Sequence, residues 1–146
     1  MWPPWSVSSD DWSWSESLWD HHAFTFHNGV LTVPLYTYDW DDGDETWTGF
    51  SGLWVIAVDP GGAGLTELGR VDHADLVAQS ECVYYYDWYG DTEYTEPCPD
   101  DYWYAGVRRG VIMEDKLYSL SDYGVKVSEL WEPDTTVATA LFHPLE

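Results

Sequence analysis

Residues that can bind a transition metal occur at two places in the sequence, each with a histidine next to an aspartate. Asp20 precedes His21 and His22 at the start of an apolar segment, and Asp72 precedes His73. These residues lead into a strand, where alternation sends His21 and His22 to opposite faces, so the two cannot serve one ion without distortion. Imidazole and carboxylate together suit divalent transition metals, and the candidate ligands are Asp20, His22, Asp72 and His73. The alternative we favour is that one histidine anchors a strand end.

The acidic segment YDWDDGDETW offers the oxygen ligands that calcium needs. Its carboxylates are those of Asp39, Asp41, Asp42, Asp44 and Glu45. Their spacing differs from that of an EF-hand loop, which places acids at alternate positions before a glycine and a glutamate six residues after it. A solvated acidic loop is therefore the favoured interpretation and no cofactor is assigned, with calcium as the alternative that these carboxylates leave open.

The two cysteines, Cys82 and Cys98, enclose a polar and aromatic segment. No third or fourth ligand lies at zinc spacing, so a disulfide that closes this loop is the favoured interpretation, and two free buried thiols are the alternative. A disulfide that closes a loop of this length stabilises a fold by roughly 3 kcal/mol. It also indicates an oxidising compartment.

Aromatic residues are concentrated within and beside the cysteine loop. They are Tyr84, Tyr85, Tyr86, Trp88, Tyr89, Tyr102, Trp103 and Tyr104. Rigid rings with polar tips can stack on sugars or form hot spots for protein binding. They can equally cover apolar faces of the fold, which is the interpretation that we favour.

The overall charge excludes some classes of partner. Five Lys and Arg residues against 27 Asp and Glu give a formal net charge of −22, which repels nucleic acid and anionic membranes. No run approaches the roughly 20 apolar residues of a membrane span. The amino-terminal residues lack the basic and apolar regions of a signal peptide. With the disulfide, we nevertheless expect an extracellular or periplasmic protein.

The chain divides into two similar β-rich units. In the first, an Asn-Gly pair between AFTF and VLTVPLY predicts a hairpin, and GLWVIAVD and LTELGRV read as further strands. In the second, GVIMEDKLYSL, GVKVSEL and TTVATALF follow the same plan. The segments expected are an irregular arm at 1–17, a first unit at 18–76, an aromatic insertion at 77–106 and a second unit at 107–146. Repeats of four short antiparallel strands predict an all-β fold of about two propeller-type blades, with a β-sandwich as the alternative.

The segments LWDHHAFTFHNGVLTVPL, GFSGLWVIAVD, LTELGRVDH and VRRGVIMEDKLYSLSDYGVKVSEL, in this order, resemble the carboxy-terminal blades of secreted bacterial and archaeal β-propeller proteins. The resemblance covers residues 18 to about 142. It implies an extracytoplasmic binding or scaffolding domain, and it brings no catalytic residues with it. Arg108 and Arg109 stand where the first unit has its histidine pair, which favours polar anchoring of a strand end at both places.

These observations favour a non-enzymatic module that self-associates or docks a protein partner through open strand edges and aromatic loops. Two other functions are kept as alternatives. One is a metal-assisted hydrolase that uses the histidines, and the other is a carbohydrate-binding module that uses exposed Trp and Tyr side chains.

Overall fold

The computed structural model describes residues 12–59, 61, 64–85, 93–99 and 104–145. These residues form mainly antiparallel strands, as the all-β prediction required. The strands are β1 (Trp12–Trp14), β2 (Thr25–His27), β3 (Val30–Asp41), β4 (Thr46–Asp59), β5 (Gly64–Asp72), β6 (Glu81–Tyr85), β7 (Glu93–Pro97), β8 (Arg109–Met113), β9 (Lys116–Leu120), β10 (Gly124–Glu129) and β11 (Thr136–Leu141). A 3-10 turn covers Glu16–Leu18, and one short helix, α1, covers Ala74–Ala78.

Sheet 1 consists of β1 to β5. β3 pairs with β4 and β4 with β5, while β2 and β1 lie one after the other along the free side of β3. The predicted hairpin between β2 and β3 is confirmed: Asn28 and Gly29 both have positive φ, 52° and 76°. Such a turn matches the twist of the two strands, and it explains why Asn-Gly stands there. β1 places residues 12–14 of the expected irregular arm in the sheet.

Sheet 2 is a meander of β8, β9, β10 and β11, each paired with the next. A two-residue turn joins β8 to β9, and its first residue, Glu114, also has a positive φ of 55°. The strands predicted for the second unit are therefore confirmed. Sheet 2 has the four-stranded antiparallel plan of a propeller blade, and β2 to β5 of sheet 1 follow the same plan, with β1 as an additional strand.

The two sheets pack against each other through the inner face of sheet 2. β8 contacts β2 and β3. The two sheets approach closely at Gly110, where the Cβ of any larger residue would collide with Leu53 and Thr32 of sheet 1. The core between the sheets includes Val30, Leu53 and Leu117, all fully buried. We call this contact between the sheets the seam.

A third, two-stranded sheet is formed by β6 and β7. Cys82 and Cys98 form the predicted disulfide at its base, where both cysteines are buried in the main core. Every residue of β7 is exposed, and the disulfide closes the loop between β6 and β7 next to the buried core. In the part of the chain that the structure describes, no helix has the length and apolar character needed to cross a membrane.

Candidate functional site

The histidine pair lies in a tight turn and not in a strand. Residues 21 and 22 precede β2, and the rings of His21 and His22 are neighbours, with centroids 3.9 Å apart. The expectation that strand alternation separates them was wrong, because the chain enters β2 only at Thr25. Both rings are exposed to solvent on the same turn.

Asp20 organises this turn. Its Oδ1 accepts a hydrogen bond from the backbone N–H of His22 at 2.9 Å and lies 3.1 Å from Nδ1 of the same residue. The bond from the His22 amide is the main cause that lowers the pKa of Asp20. The turn ends at the buried Ala23, whose N–H donates a hydrogen bond to the carbonyl of Asp20 at 3.0 Å. One histidine thus bonds the neighbouring carboxylate next to a strand entry, as the favoured interpretation expects.

The other two expected metal ligands lie elsewhere in the fold. His73 is fully buried at the seam, and its Nε2 lies 2.7 Å from the hydroxyl of Ser119 in β9. Within the described residues, three or more candidate ligands come within 4.8 Å of one another at Asp20, His21 and His22, and neither Asp72 nor His73 is in this group. The structure therefore does not bring the expected set of four together.

His73 belongs instead to a polar cluster that joins the two sheets. Lys126 of β10, with 8% of its surface exposed, donates from Nζ to the Asp72 carbonyl at 2.6 Å and to the Asp75 carboxylate at 2.7 Å. Burial, with help from the positive charge of Lys126, lowers the pKa of His73 to about 4. Burial also raises the pKa of Asp72. The cluster ties β5 and α1 of the first unit to β9 and β10 of the second.

A further hydrogen bond across the seam gives a test of its contribution. The hydroxyl of Thr25 in β2 donates to the carbonyl of Gly110 in β8 at 2.7 Å. Replacing Thr25 with Val keeps the shape of the side chain and removes the donor, so the free energy of unfolding should fall by about 1 kcal/mol. Urea unfolding of both proteins measures this. The exposed Thr66→Val in β5 is the matched control, and an equal effect of both changes would contradict a specific seam contact.

The acidic residues lie at the end of the β3–β4 hairpin. Asp39 and Asp41 are in β3, and the other three are in the turn that follows. Oδ1 of Asp41 accepts bonds from the N–H groups of Gly43 and Asp44, at 2.8 and 3.3 Å. This carboxylate therefore stabilises the turn. Calcium binding by the segment stays a prediction.

The expected binding aromatics fall largely outside the described part of the chain. Tyr86, Trp88, Tyr89, Tyr102 and Trp103 lie outside it, and Tyr84 and Tyr85 are placed only as residues of β6. Tyr104 is described, and its half-buried ring meets that of Tyr36 edge to face, with centroids 5.0 Å apart. This ring packs against sheet 1. A binding role for the other rings stays a prediction.

Arg108 anchors the entry to β8, as the comparison of the two units predicted. Its guanidinium makes a bidentate pair with Asp122, at 3.0 and 2.8 Å, and lies 3.3 Å from Glu16 of the 3-10 turn. Because Glu16 belongs to the amino-terminal segment, this pair also connects that segment to the second unit. Arg109 has no ion pair with the described residues, and it lines a shallow groove with Phe26 and His27 of β2.

The outer face of sheet 2 carries a row of apolar side chains that stays partly exposed. Paired residues on neighbouring strands share a face, and one such row runs through Val111, Tyr118, Val127 and Ala138. All four are at least partly exposed, whereas the row on the opposite face includes the buried Ser119 and Lys126. Sequence reasoning missed this face. The alternation in KLYSL and GVKVSE signals it, but by itself does not show which set of side chains is covered.

At the edge of this face, β11 has β10 as its only strand neighbour within the described residues. Its sequence, TVATAL, carries no charge, and residues 136–140 are exposed. The outer strand of sheet 1, β5, differs because it carries Glu67 and Arg70, which form an ion pair at 2.9 Å. Charged side chains block the pairing of edge strands between molecules, so β5 is protected and β11 is not.

Comparison with known proteins gives one match. A family model described as a beta propeller domain matches residues 6–132, which is most of the chain. Neither a curated protein nor a solved structure matches.

Proposed function

The chain belongs to the β-propeller domain family, and from that premise we propose that it is a non-enzymatic binding or structural module that acts outside the cytoplasm. Membership of this family suggests a role in protein interaction or a structural role. The finer proposal is that the outer face of sheet 2 and the edge of β11 dock a second β-sheet. That sheet comes from another copy of the chain or from a protein partner.

The observation that carries this proposal is the partly exposed apolar row on the outer face of sheet 2. In a propeller, each blade buries apolar side chains against its neighbours, and the seam shows this packing between the two sheets present. The row Val111, Tyr118, Val127 and Ala138 on the outer face of sheet 2 is also apolar, and all four residues keep some exposure to solvent. Open apolar faces that adjoin unprotected edges are typical of protein–protein contacts.

Because of the net charge, the association of two copies should depend on ionic strength. A charge of −22 on each copy opposes association at low ionic strength. At 1 M salt the Debye length falls to about 3 Å, so the repulsion is screened while apolar contact persists. The buried disulfide supports a location outside the cytoplasm, since such bonds persist in oxidising compartments.

We expect the protein to self-associate at high salt and to lose this property when a charge is placed on the apolar row. In Val127→Lys the added ammonium group would lose its hydration in the contact, so the association constant should fall by about tenfold or more. Sedimentation velocity in 0.1 and 1 M NaCl measures the change.

The matched control is Thr66→Lys, which adds the same charge to the protected edge strand β5, where Thr66 is exposed. It should associate as the unaltered protein does. A compact monomer at both salt concentrations would contradict self-association, and equal losses in both variants would show that the charge and not the face is responsible.

A further inference from the structure

The turn before β2 combines three groups that bind metals well. Asp20 contributes a carboxylate, and His21 and His22 contribute imidazoles, with one ligand atom from each within 4.8 Å of the others. From this geometry we propose that the turn is a binding site for a divalent transition metal of the zinc or copper class. The ligand set differs from the one that the sequence suggests, and the proposal does not depend on the proposed docking face.

The spacing of the closest pair matches what a metal requires. Zinc lies about 2.0 to 2.2 Å from nitrogen and oxygen ligands, so two ligands at a tetrahedral angle are roughly 3.3 Å apart. Oδ1 of Asp20 and Nδ1 of His22 are 3.1 Å apart. A metal ion can therefore take the place of the proton between these atoms with little movement. For this, His22 ligates as the neutral tautomer that carries its single proton on Nε2 and leaves the lone pair of Nδ1 for the metal.

The second imidazole is already next to the first. The rings of His21 and His22 have centroids 3.9 Å apart and planes inclined by 39°. Rotation about the side-chain bonds of an exposed histidine is inexpensive, so His21 can present either ring nitrogen to the same ion. Two imidazoles and one carboxylate favour zinc or copper over magnesium or calcium, which prefer oxygen ligands.

The main chain holds this arrangement before any metal arrives. The N–H of Asp20 donates to the carbonyl of Glu16 at 3.0 Å, and the N–H of Ala23 donates to the carbonyl of Asp20 at 3.0 Å. Ala23 is 1% exposed, which fixes the carboxyl side of the turn in the core. Because the turn is already ordered, binding costs less conformational entropy than it would on a mobile loop.

The chemistry of the site follows from its exposure. Asp20, His21 and His22 are all exposed, so water or a group from another molecule completes the coordination. The negative charge of the whole chain raises the local concentration of divalent cations. Discrimination among those cations must then come from the imidazoles, because carboxylates elsewhere on the surface attract every divalent ion.

Titration calorimetry with Zn²⁺, in the presence of millimolar Mg²⁺ to occupy surface carboxylates, tests the site. We expect one saturable site per chain in the unaltered protein. Loss of a residue that only hydrogen-bonds a metal ligand typically weakens metal binding by about 10- to 100-fold. Loss of a ligand itself, in His21→Asn or His22→Asn, should therefore weaken binding by at least about tenfold. The matched control is His143→Asn, at another exposed histidine outside the cluster.

Absorption spectra of the Co²⁺-loaded protein give a second readout, because they report the ligands of the ion itself. The bands should change in both cluster variants and stay the same in His143→Asn. Binding that disappears when Mg²⁺ is added would show collection by the acidic surface and would overturn the proposal. Zinc binding that survives in the double variant His21→Asn, His22→Asn with full affinity would also overturn it.

Discussion

Lowering the pH from 7 to 4 is expected to reduce the free energy of unfolding by about 3 kcal/mol through His73 alone. The pKa of this buried imidazole is lowered to about 4 in the folded protein, against an ordinary value of 6.5. The unfolded chain therefore takes up a proton between these values and the folded chain does not. A difference of one unit corresponds to about 1.4 kcal/mol, so stability is complete above pH 6.5 and is lost as the pH falls towards 4.

The neighbours of His73 determine the size of this effect. Burial is the main cause of the low pKa, Lys126 lowers it further, and the carboxylate of Asp75 raises it. The nearby Asp72 has the opposite effect on the pH dependence of stability. Burial raises the pKa of its carboxyl in the folded protein, so the folded chain binds this proton more readily than the unfolded chain does. The measured curve contains both contributions and those of the other carboxylates.

Comparison with His73→Gln isolates the histidine. The variant keeps a group that can bond to Ser119 but does not titrate in this range. Urea unfolding at pH 7 and pH 4 should show that the unaltered protein loses about 3 kcal/mol more than the variant does. Equal losses would mean that His73 is not held neutral in the folded protein. A lower stability of His73→Gln at pH 7 alone would not affect this comparison.

Reduction of the disulfide is expected to lower the free energy of unfolding by about 3 kcal/mol. Cys82 and Cys98 are separated by 16 positions, and the bond restricts the unfolded chain over this loop. Both cysteines belong to the buried core, and Sγ of Cys82 lies 3.4 Å from the hydroxyl of Tyr123 in the turn between β9 and β10. The bond thus closes the β6–β7 hairpin, and the contact with Tyr123 joins that hairpin to the second unit.

Urea unfolding with and without a reductant measures this contribution. The chain has two cysteines, so a reductant acts on this bond alone. The double variant Cys82→Ala, Cys98→Ala serves as the control, because it should resemble the reduced protein and should not respond to the reductant. If reduction leaves the unfolding midpoint unchanged, the bond does not restrict the unfolded chain as described.

Local sequence signals predicted the strands well, because each depends on residues close together in the chain. The Asn28-Gly29 pair has backbone angles that few other pairs adopt, and it identified the first hairpin. The repeat of the plan in residues 110–142 identified the second sheet, and the number and spacing of cysteines identified the disulfide. The histidine turn was misread because an apolar segment follows directly, and nothing local marks Thr25 as the first strand residue.

The polar cluster at the seam could not be predicted from local sequence signals. Lys126 and Asp75 are 51 positions apart, and in the sequence each is one charged residue among many. Their pairing depends on how two sheets pack, which no single strand encodes. The sequence also suggested His73 as a metal ligand, since a histidine next to an aspartate has the same pattern whether it is exposed or buried.

The connectivity of the sheets has consequences for the order of folding. In both sheets, apart from the small contribution of β1, each strand pairs with the next strand along the chain, so short loops close first at little cost in entropy. The contacts between Thr25 and Gly110, and between Asp75 and Lys126, join residues 85 and 51 positions apart. Formation of each meander should therefore precede their docking, and the docking step should limit the folding rate. Changes within the seam would then slow folding, whereas changes on the outer face of sheet 2 would leave the rate unaffected.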